Sequence, residues 1–485
     1  MSHQRGTCLG DDKKMVSDTS FWFAARKMVS DTIFWAAPLV LAGCSLIDPY
    51  NMVGRQGDAE ATQVATVVVP PPPAHEMSVR ERTRAFDFVW ETIAERYYDP
   101  KLNGVDWKAV GQRYRPLALG AKDDSTFWES LDRMTGELHD SHTRVESPER
   151  VALRKRDESI TLGFGFMPLE GKLAVTSVNT DSDAWWAGVR PGMTLVDIGG
   201  EPAMVAYQRL MADTRFDSTE RSRHFRVLRR ILTGPEDSKV PFAFERSDGS
   251  RFQATVGRRK FSSRASTTHR VLPSGFGYLR LTQWTLGVGP RAVAGVEALR
   301  DTPGLIIDLR GNPGGAVQTV DQLLTEFFDK SAELGRTTTR TGKPVSVLFG
   351  AVEIIKLKST IEGNPNAYKG KVAILVNSQS ASASELFAGT MQAAGRAVVV
   401  GQPTCGCLLG FLGYARVPGG AELAYSEVGF VLSNGKRIEG EGVMPDYPVP
   451  IALADLVANR DRMLETAQEI LKKMTAAAGS TPAGG

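Results

Sequence analysis

The sequence predicts a multidomain protein of mixed α/β class, in which three successive segments differ in their hydrophobic periodicity. Apolar residues recur at three- and four-residue spacing within residues 79–155, which indicates helices. Residues 156–260 contain short strand patterns separated by turns. In residues 261–455, aliphatic strands are followed by turns and helical patterns. The 485-residue chain is long enough for this α+β arrangement of several domains.

The overall composition is that of an ordinary globular protein, with 42% hydrophobic and 23% charged residues. The formal net charge of +3 gives no indication of a nucleic-acid or acidic partner. Cysteine is scarce, with four residues in the chain. Function must therefore be sought in local motifs and not in bulk charge.

Residues 1–44 have the features of a secretory signal. The apolar stretch Ile33–Gly43 follows two basic residues and is too short to span a bilayer. It leads into Leu-Ala-Gly-Cys, a tetrapeptide that resembles the lipobox of bacterial lipoproteins, in which the cysteine, here Cys44, is lipidated. The expectation is a lipid-anchored protein of the bacterial envelope, at the outer membrane facing the periplasm. A cleaved signal without lipid is the alternative.

The predicted anchor is joined to the folded body by a linker. Residues 45–78 contain Pro70–Pro73 and little periodicity, which predicts an extended tether. A helical domain follows over residues 79–155, with apolar residues at helical spacing: Phe86, Val89, Trp90, Ile93 and Tyr97.

The most informative part of the helical domain is its end, Leu138–Arg144, which contains His139 and His142. Two neighbouring histidines could suggest a metal site, but no Glu-x-x-His or cysteine pair lies nearby to complete one. Metal binding is therefore not expected. A simple interpretation of His142 is a hydrogen bond that holds a loop.

Residues 156–260 resemble a bacterial PDZ domain. The resemblance rests on Leu162–Phe166, on the strand Leu173–Val178 and on the turn Ala187–Met193. Such modules bind extended chain ends by strand addition, and a glycine-rich loop receives the terminal carboxylate. That loop would be Leu162, Gly163, Phe164, Gly165 and Phe166. Modules of this type also serve as lids, and that alternative stays open.

Within residues 261–455, two segments each have the sequence pattern of a strand followed by a turn and a helix. In the first, Gly304–Gly315 leads to a helix predicted from Val320 to Phe328. The segment lacks Gly-Lys-Ser/Thr and Gly-x-Gly-x-x-Gly, so nucleotide binding is not expected. In the second, the strand Lys371–Asn377 precedes a helix from Glu385 to Ala394.

Four serines crowd the junction between that second strand and its helix: Ser378, Ser380, Ser382 and Ser384. Free backbone N–H groups at a helix N-terminus favour developing negative charge, which suits a serine nucleophile. An equally simple interpretation is that Ser382 or Ser384 only caps the helix.

Val376–Gly401, with its Ser-Ala-Ser-Glu core, and the Asp-x-Arg-x-Asn-x-Gly-Gly of Gly304–Gly315 resemble the C-terminal processing peptidase and tricorn core protease family of serine peptidases. The resemblance implies a ClpP/crotonase-like α/β core over residues 261–455. It also implies that Ser382, the first serine of the core motif, attacks the peptide carbonyl.

The same resemblance implies the other site residues. The glycine turn would supply an oxyanion-hole N–H from Gly314 or Gly315, together with the N–H of Ala383; a purely structural turn is the alternative. In tricorn-like members the histidine matching His142 is the general base, and a glutamate near the end of the core completes the catalytic set. Glu439 is the best match for that glutamate and Glu441 a poorer one, because Glu441 lies where a turn is expected; an exposed loop carboxylate is the alternative.

One position departs from the processing-peptidase pattern. Those enzymes use a Ser-Lys dyad, and Cys407 stands where the lysine belongs. A thiol could act as a base only as a thiolate, which would itself be the better nucleophile. Cys405 and Cys407 could pair as a small disulfide ring, or they could be buried residues that fill the space of the lysine.

The sequence thus predicts an envelope serine endopeptidase that cuts polypeptides through Ser382 with His142 as base, without a cofactor or metal. The alternative is a catalytically inactive, lipid-anchored protein that binds chain ends. Residues 456–485 should form a terminal helix from Leu456 to Met474 and a disordered tail.

Overall fold

The computed structural model describes residues 76–347 and 352–479. The predicted signal peptide with Cys44, nearly all of the predicted linker and the last six residues lie outside the described part. Among the described residues, no helix combines the length and the apolar character needed to cross a membrane.

The first segment consists of helices and one short strand. These are α1 (Val79–Arg96), a 3₁₀ turn (Leu102–Gly104), α2 (Trp107–Leu119), α3 (Asp124–Gly136), β1 (Arg144–Glu146) and α4 (Pro148–Lys155). Ser78 and Glu81 form a capping box that fixes the start of α1. The apolar positions predicted for α1 pack against α2 and α3 in one buried cluster.

The second segment combines a sheet with three helices. Its elements are β2 (Glu158–Thr161), β3 (Phe164–Leu169), β4 (Lys172–Val178), α5 (Asp183–Trp186), β5 (Thr194–Ile198), β6 (Glu201–Pro202), α6 (Ala203–Asp213), α7 (Glu220–Leu232), β7 (Lys239–Glu245), β8 (Arg251–Gly257) and β9 (Arg259–Ser262). The sheet order is β3-β4-β5-β7-β8, so β3 is an edge strand. The prediction of only strands and turns was wrong for α6 and α7.

The third segment is the largest. Its first half contains β10 (Thr267–Val271), β11 (Gly277–Leu281), α8 (Val288–Ala298), β12 (Gly304–Asp308), α9 (Val317–Thr325), β13 (Ala332–Thr339), β14 (Val345–Val347), β15 (Val352–Ile355) and β16 (Lys358–Ile361). Its second half contains β17 (Lys371–Val376), α10 (Ala383–Ala393), β18 (Val398–Gly401), β19 (Leu409–Gly410), β20 (Ala415–Arg416), β21 (Glu422–Ala424), β22 (Val428–Leu432) and β23 (Tyr447–Pro448).

The central sheet of this segment has the order β10-β11-β12-β17-β18-β23. All neighbours from β11 to β23 are parallel, and β10 is antiparallel to β11. Both faces are covered, so β12 is buried along its whole length. The carboxyl ends of β12 and β17 lie side by side, which brings the turns after Asp308 and after Val376 to the same edge of the sheet.

The chain ends in two helices where the sequence predicted one. Helix α11 spans Leu453–Val457 and α12 spans Arg462–Gly479. The predicted terminal helix is present from Arg462, but its predicted start at Leu456 was wrong because the chain turns between the two helices, with Asn459 at a φ of 50°. Helix α12 packs its apolar side on the face of the central sheet opposite α8 to α10.

Candidate active site

Ser382 occupies a strained turn at the N-terminus of α10. Its φ and ψ are 55° and −116°, a conformation that costs a non-glycine residue on the order of 1–3 kcal/mol. The backbone N–H of Ser382 is held from two sides, by the carbonyl of Cys407 and by Glu385 Oε2, each at 3.0 Å. The strain is therefore maintained by the surrounding loops.

The neighbouring serines have structural partners. Ser384 Oγ donates to the carbonyl of Asn312 at 3.0 Å and accepts a hydrogen bond from Trp284 Nε1 at 2.8 Å. Ser380 Oγ donates to the carbonyl of Leu309 at 2.8 Å. Both hydroxyls therefore link the turn after β17 to the turn after β12. Ser380 and Ser384 thus have structural roles, unlike Ser382.

The imidazole of His142 lies against the hydroxyl of Ser382. His142 Nε2 is 3.1 Å from Ser382 Oγ, although the two residues are 240 positions apart in the sequence. Burial is the main reason that the pKa of His142 falls to about 4, with Arg144 adding to the fall and Asp140 opposing it. The ring is therefore neutral near pH 7 and has a lone pair available for a proton.

The loop that carries His142 is fixed by the carboxylate of Asp140. Asp140 Oδ1 accepts from the backbone N–H of His142 at 2.8 Å. Its other oxygen accepts from the hydroxyls of Thr143 and Ser426 at 2.5 and 2.6 Å. This buried carboxylate, which sequence reasoning did not single out, positions the backbone and not the ring. His142 Nδ1 is buried without a hydrogen-bond partner among residues 76–347 and 352–479.

The glycine turn after β12 lies directly beside Ser382. A Cβ at Gly314 would stand 2.6 Å from the Cβ of Ser382 and 3.0 Å from the nitrogen of Ala383, so only glycine fits. The N–H of Gly314 donates to Asn312 Oδ1 at 3.0 Å and is not free. Gly314 was therefore the wrong choice of oxyanion donor. In the described part of the chain, the N–H groups of Gly315 and Ala383 have no acceptor.

Comparison with known proteins supports the resemblance. A model of peptidase family S41 matches residues 275–449, and a model of the tricorn protease C1 domain matches residues 78–136. The S41 match includes Ser382 and the glycine turn after β12. The chain is a serine-type peptidase, as the resemblance implied.

Several relatives align over most of the chain. Carboxyl-terminal-processing peptidase 2, chloroplastic, of Arabidopsis thaliana is 25% identical over 411 residues, which are 80% of this chain and 72% of the relative. The carboxyl-terminal-processing protease of Synechocystis sp. is 24% identical over 393 residues, 79% of this chain and 85% of the relative.

Two solved structures have the same fold. The photosystem II D1 C-terminal processing protease has a TM-score of 0.52 and 20% identity, covering 81% of this chain and 97% of its own. Mature CPAF has a TM-score of 0.59 and 16% identity, covering 82% and 97%. They confirm the mixed α/β multidomain architecture.

Glu439 is buried in the S41 core but does not touch the imidazole. Its Oε2 accepts from the backbone N–H of Leu408 at 2.6 Å. Burial raises its pKa well above the ordinary value, and the negative charge of Asp140 adds to this. The side chain of Glu439 therefore holds the loop after Cys407. Because it is buried, the interpretation as an exposed loop carboxylate is wrong.

Cys407 is disulfide-bonded to Cys405. Both residues are buried. A disulfide sulfur has no proton to exchange, so neither cysteine is a base or a nucleophile in this state. The backbone carbonyl of Cys407 instead accepts from Ser382.

The loop that contains the disulfide is hydrogen-bonded to Glu385. This residue belongs to the Ser-Ala-Ser-Glu motif, but the sequence alone does not indicate its role. Its carboxylate accepts from the N–H groups of Gly406 and Cys407 at 2.7 and 2.9 Å and from Thr404 Oγ1 at 2.5 Å. Burial raises the pKa of Glu385, while these hydrogen bonds oppose the rise.

Of the segment predicted to be a substrate-binding loop, Phe164–Phe166 form the start of edge strand β3, and only Leu162 and Gly163 precede the strand. The side chains of Leu162, Phe164 and Phe166 are buried in the core of their own sheet, which leaves only backbone groups for a ligand. The second segment reaches the active site instead through the start of α7. Thr219 Oγ1 donates to the carbonyl of Cys405 at 2.6 Å, and Arg221 Nε donates to that of Thr404 at 2.8 Å.

Proposed function

We propose that this S41 peptidase hydrolyses peptide bonds of protein substrates through Ser382, with His142 as general base in place of the missing lysine. The observation that carries the proposal is the 3.1 Å distance between His142 Nε2 and Ser382 Oγ. Such a distance is within the range for proton transfer between a nucleophile and its base.

In the proposed reaction, Ser382 Oγ attacks the carbonyl carbon of the scissile bond while its proton passes to His142 Nε2. The carbonyl oxygen becomes an oxyanion, which the N–H groups of Ala383 and Gly315 stabilise. His142 then protonates the departing amine, and an acyl-enzyme on Ser382 remains. A water molecule, deprotonated by His142, hydrolyses this ester and restores the serine.

The arrangement also fixes which nitrogen of the His142 ring carries the proton. To accept from Ser382, the neutral ring must carry its proton on Nδ1, and this atom has no acceptor within the described residues. A bound water or the substrate would have to satisfy it. Glu439 acts in this scheme by holding the loop after the disulfide.

The proposal extends to location and substrate. The carboxyl-terminal-processing names of its relatives suggest processing of polypeptide chain ends. The free edge of β3, with the loop Leu162–Phe166, would receive an extended chain by strand addition. The sequence around Cys44 supports an envelope protein held at the outer membrane by a lipid.

A proteolysis assay on an unstructured polypeptide tests the function, using the protein from Val79 onward and two variants. Wild type should cut, and Ser382→Ala and His142→Ala should each lose activity by orders of magnitude. Circular dichroism controls for folding. If the wild type does not cut across pH and several substrates, the inactive binding protein replaces the peptidase. If His142→Ala retains activity, another base must be sought.

A further inference from the structure

No hydrogen bond from the described part of the chain fixes the far side of the His142 ring. Its Nδ1 is buried without a partner, while Nε2 lies 3.1 Å from Ser382 Oγ. In Ser-His-Asp enzymes, a carboxylate bound to Nδ1 orients the imidazole. Without such a partner, the position of the ring depends on how the backbone of residues 139–143 is held. We refer to these five residues as the His142 loop.

One side of the His142 loop is anchored on the third segment. Asp140 Oδ1 accepts from the backbone N–H of His142 at 2.8 Å, and Asp140 Oδ2 accepts from Ser426 Oγ at 2.6 Å. Ser426 also donates its backbone N–H to Thr143 Oγ1 at 3.0 Å. These contacts hold Asp140 and Thr143, and they do not involve Ser141, the residue directly before His142.

The other side of the His142 loop is contacted by the second segment, through the stretch 215–219 directly before α7. The ring of Phe216 stacks on that of His139, with ring centres 4.6 Å apart and planes inclined by 21°. Arg215 Nη2 donates to the carbonyl of Asp140 at 2.9 Å. The second segment therefore runs alongside the loop that carries the general base of the proposed reaction.

Within this stretch, Ser218 forms a reciprocal pair of hydrogen bonds with Ser141. Ser218 Oγ accepts from the backbone N–H of Ser141 at 2.9 Å, and the backbone N–H of Ser218 donates to Ser141 Oγ at 3.1 Å. The N–H of Ser141 belongs to the peptide unit whose carbonyl, that of Asp140, is bound by Arg215. The second segment therefore holds both polar groups of a peptide unit one residue away from His142.

The hydroxyl of Ser218 also reaches Glu439. A serine hydroxyl has one proton to donate, and its hydrogen bond to the Glu439 carboxylate opposes the rise in pKa that burial causes. Glu439 Oε2 accepts from the backbone N–H of Leu408 at 2.6 Å. One hydroxyl therefore links the His142 loop to the carboxylate that holds the loop after Cys407.

We propose that Ser218 is a positioning residue for the general base, because its hydroxyl holds the backbone before His142 where the imidazole meets Ser382. The inference rests on the proposed peptidase function, since it assigns a further residue to the same reaction. Ser218 does not touch the reacting atoms, and its effect passes through the backbone of the His142 loop. A displacement of about 1 Å in such a site can cost on the order of 10² in rate.

Four variants test the positioning role. Ser218→Ala removes the hydroxyl and leaves the N–H of Ser141 without its acceptor. Ser218→Thr keeps the hydroxyl, whereas Ser218→Val has the shape of threonine without it, so this pair separates the hydrogen bond from packing. Ser238→Ala is the matched control in the same segment, because Ser238 Oγ also makes two hydrogen bonds, from Arg258 Nη1 at 3.0 Å and to the carbonyl of Pro235 at 2.5 Å.

Ser218→Ala and Ser218→Val should lower kcat at least about tenfold and change KM less than about twofold, while Ser218→Thr and Ser238→Ala stay within about threefold of wild type. The acid limb of kcat/KM should also move to higher pH in the first two variants, because a loosened loop admits water to a ring whose pKa burial lowers to about 4. Circular dichroism controls for folding, and the Ala and Thr variants decide where Val does not fold. An unchanged kcat without the hydroxyl, or equal losses with and without it, would overturn the inference.

Histidine NMR separates this inference from the proposed function, because it needs no cleavage. A pH titration of the imidazole carbon-bound protons, assigned with His142→Ala, should give a low pKa for His142 in wild type and Ser218→Thr and a higher one in Ser218→Ala. If wild type cuts no substrate but this difference is found, the positioning role stands and the peptidase proposal fails. If wild type cuts and Ser218→Ala changes neither kcat nor the His142 signal, the inference alone is wrong.

Discussion

At the scale of single residues, two opposing effects act on His142. Loss of water around the ring disfavours the charged form, while the negative charge of Asp140 favours it. Burial is the larger effect. The carboxylate of Asp140 accepts hydrogen bonds from Thr143, Ser426 and the backbone N–H of His142, and it makes none with the imidazole ring. The result is a neutral ring beside Ser382.

This balance predicts the pH dependence of cleavage. The base form of His142 is the active form, and its lowered pKa means that this form persists below pH 6.5. The acid limb of kcat/KM should therefore lie more than one pH unit below that of an unperturbed histidine. A pH–rate profile on an uncharged peptide measures it, and an acid limb above pH 8 would indicate an amine or thiol base instead.

At the residue level, the motifs predicted which two side chains meet, while their catalytic roles stay a prediction. Ser382 and His142 were paired from motifs alone, and the structure brings them together. Gly314 was misassigned because the sequence does not reveal that Asn312 Oδ1 occupies its N–H. Likewise, no pattern shows that Glu439 faces Leu408 and not the ring.

At the scale of elements, helix α10 and the loop 404–408 are joined by one carboxylate. Glu385 accepts from the N–H groups of Ser382, Gly406 and Cys407 and from the hydroxyl of Thr404. Four hydrogen bonds converge on a side chain with no exposed surface. The position of the nucleophile therefore depends on this contact.

Glu385→Gln should lower kcat at least tenfold, since an amide can replace only one of the two acceptor oxygens and places an NH₂ group against backbone donors. KM should change less than kcat. Steady-state kinetics and thermal melting measure both effects. Glu441→Gln, at an exposed carboxylate near the same loop, is the control and should behave as wild type. Unchanged kcat in Glu385→Gln would contradict the positioning role.

Cys407→Ser should leave most of the activity intact, within about threefold, because the bonded sulfur takes no part in proton transfer and the contact to Ser382 is made by the backbone. Cys405→Ser/Cys407→Ser removes the unpaired thiol that the single change leaves and should give the same rate. A loss as large as that of Ser382→Ala in both variants would overturn the His142 mechanism.

Helices and strands with a strong hydrophobic periodicity were predictable from the sequence. Elements whose position is determined by tertiary packing were not. The buried strands β12 and β17 and helices α1 and α10 follow from aliphatic runs and helical spacing. Helix α7 escaped prediction because its sequence is rich in arginine and its buried residues, Val227, Leu228 and Ile231, form only a narrow stripe. Its place beside the active-site loop depends on tertiary contacts that no local pattern encodes.

At the scale of the whole molecule, Arg215 joins the second segment to the loop of His142. Its guanidinium is buried and donates to the carbonyls of Thr143 and Asp140, at 3.1 and 2.9 Å. It also pairs with Asp132 at 2.9 Å and lies 3.6 Å from Asp217. A single side chain thus connects α3, the His142 loop and the segment before α7.

Arg215→Gln should destabilise the protein by about 3 kcal/mol or more, because it removes one of the two guanidinium groups that neutralise Asp132 and Asp217 and leaves the buried carbonyls of Asp140 and Thr143 without their donor. Urea unfolding followed by fluorescence measures the change. Arg209→Gln breaks an exposed ion pair with Glu201 and should not shift the midpoint measurably. Equal midpoints for the two variants would show that Arg215 does not hold the segments together.

The central claim is that His142 activates Ser382, and covalent labelling tests it most directly. A fluorophosphonate probe reacts with a serine only when a base makes it nucleophilic. Mass spectrometry of the labelled protein should find the adduct on Ser382 in wild type, and labelling should slow by at least about a hundredfold in His142→Ala while Cys407→Ser labels as wild type. An adduct on another residue, or equal labelling of Ser382 in His142→Ala, would contradict the mechanism.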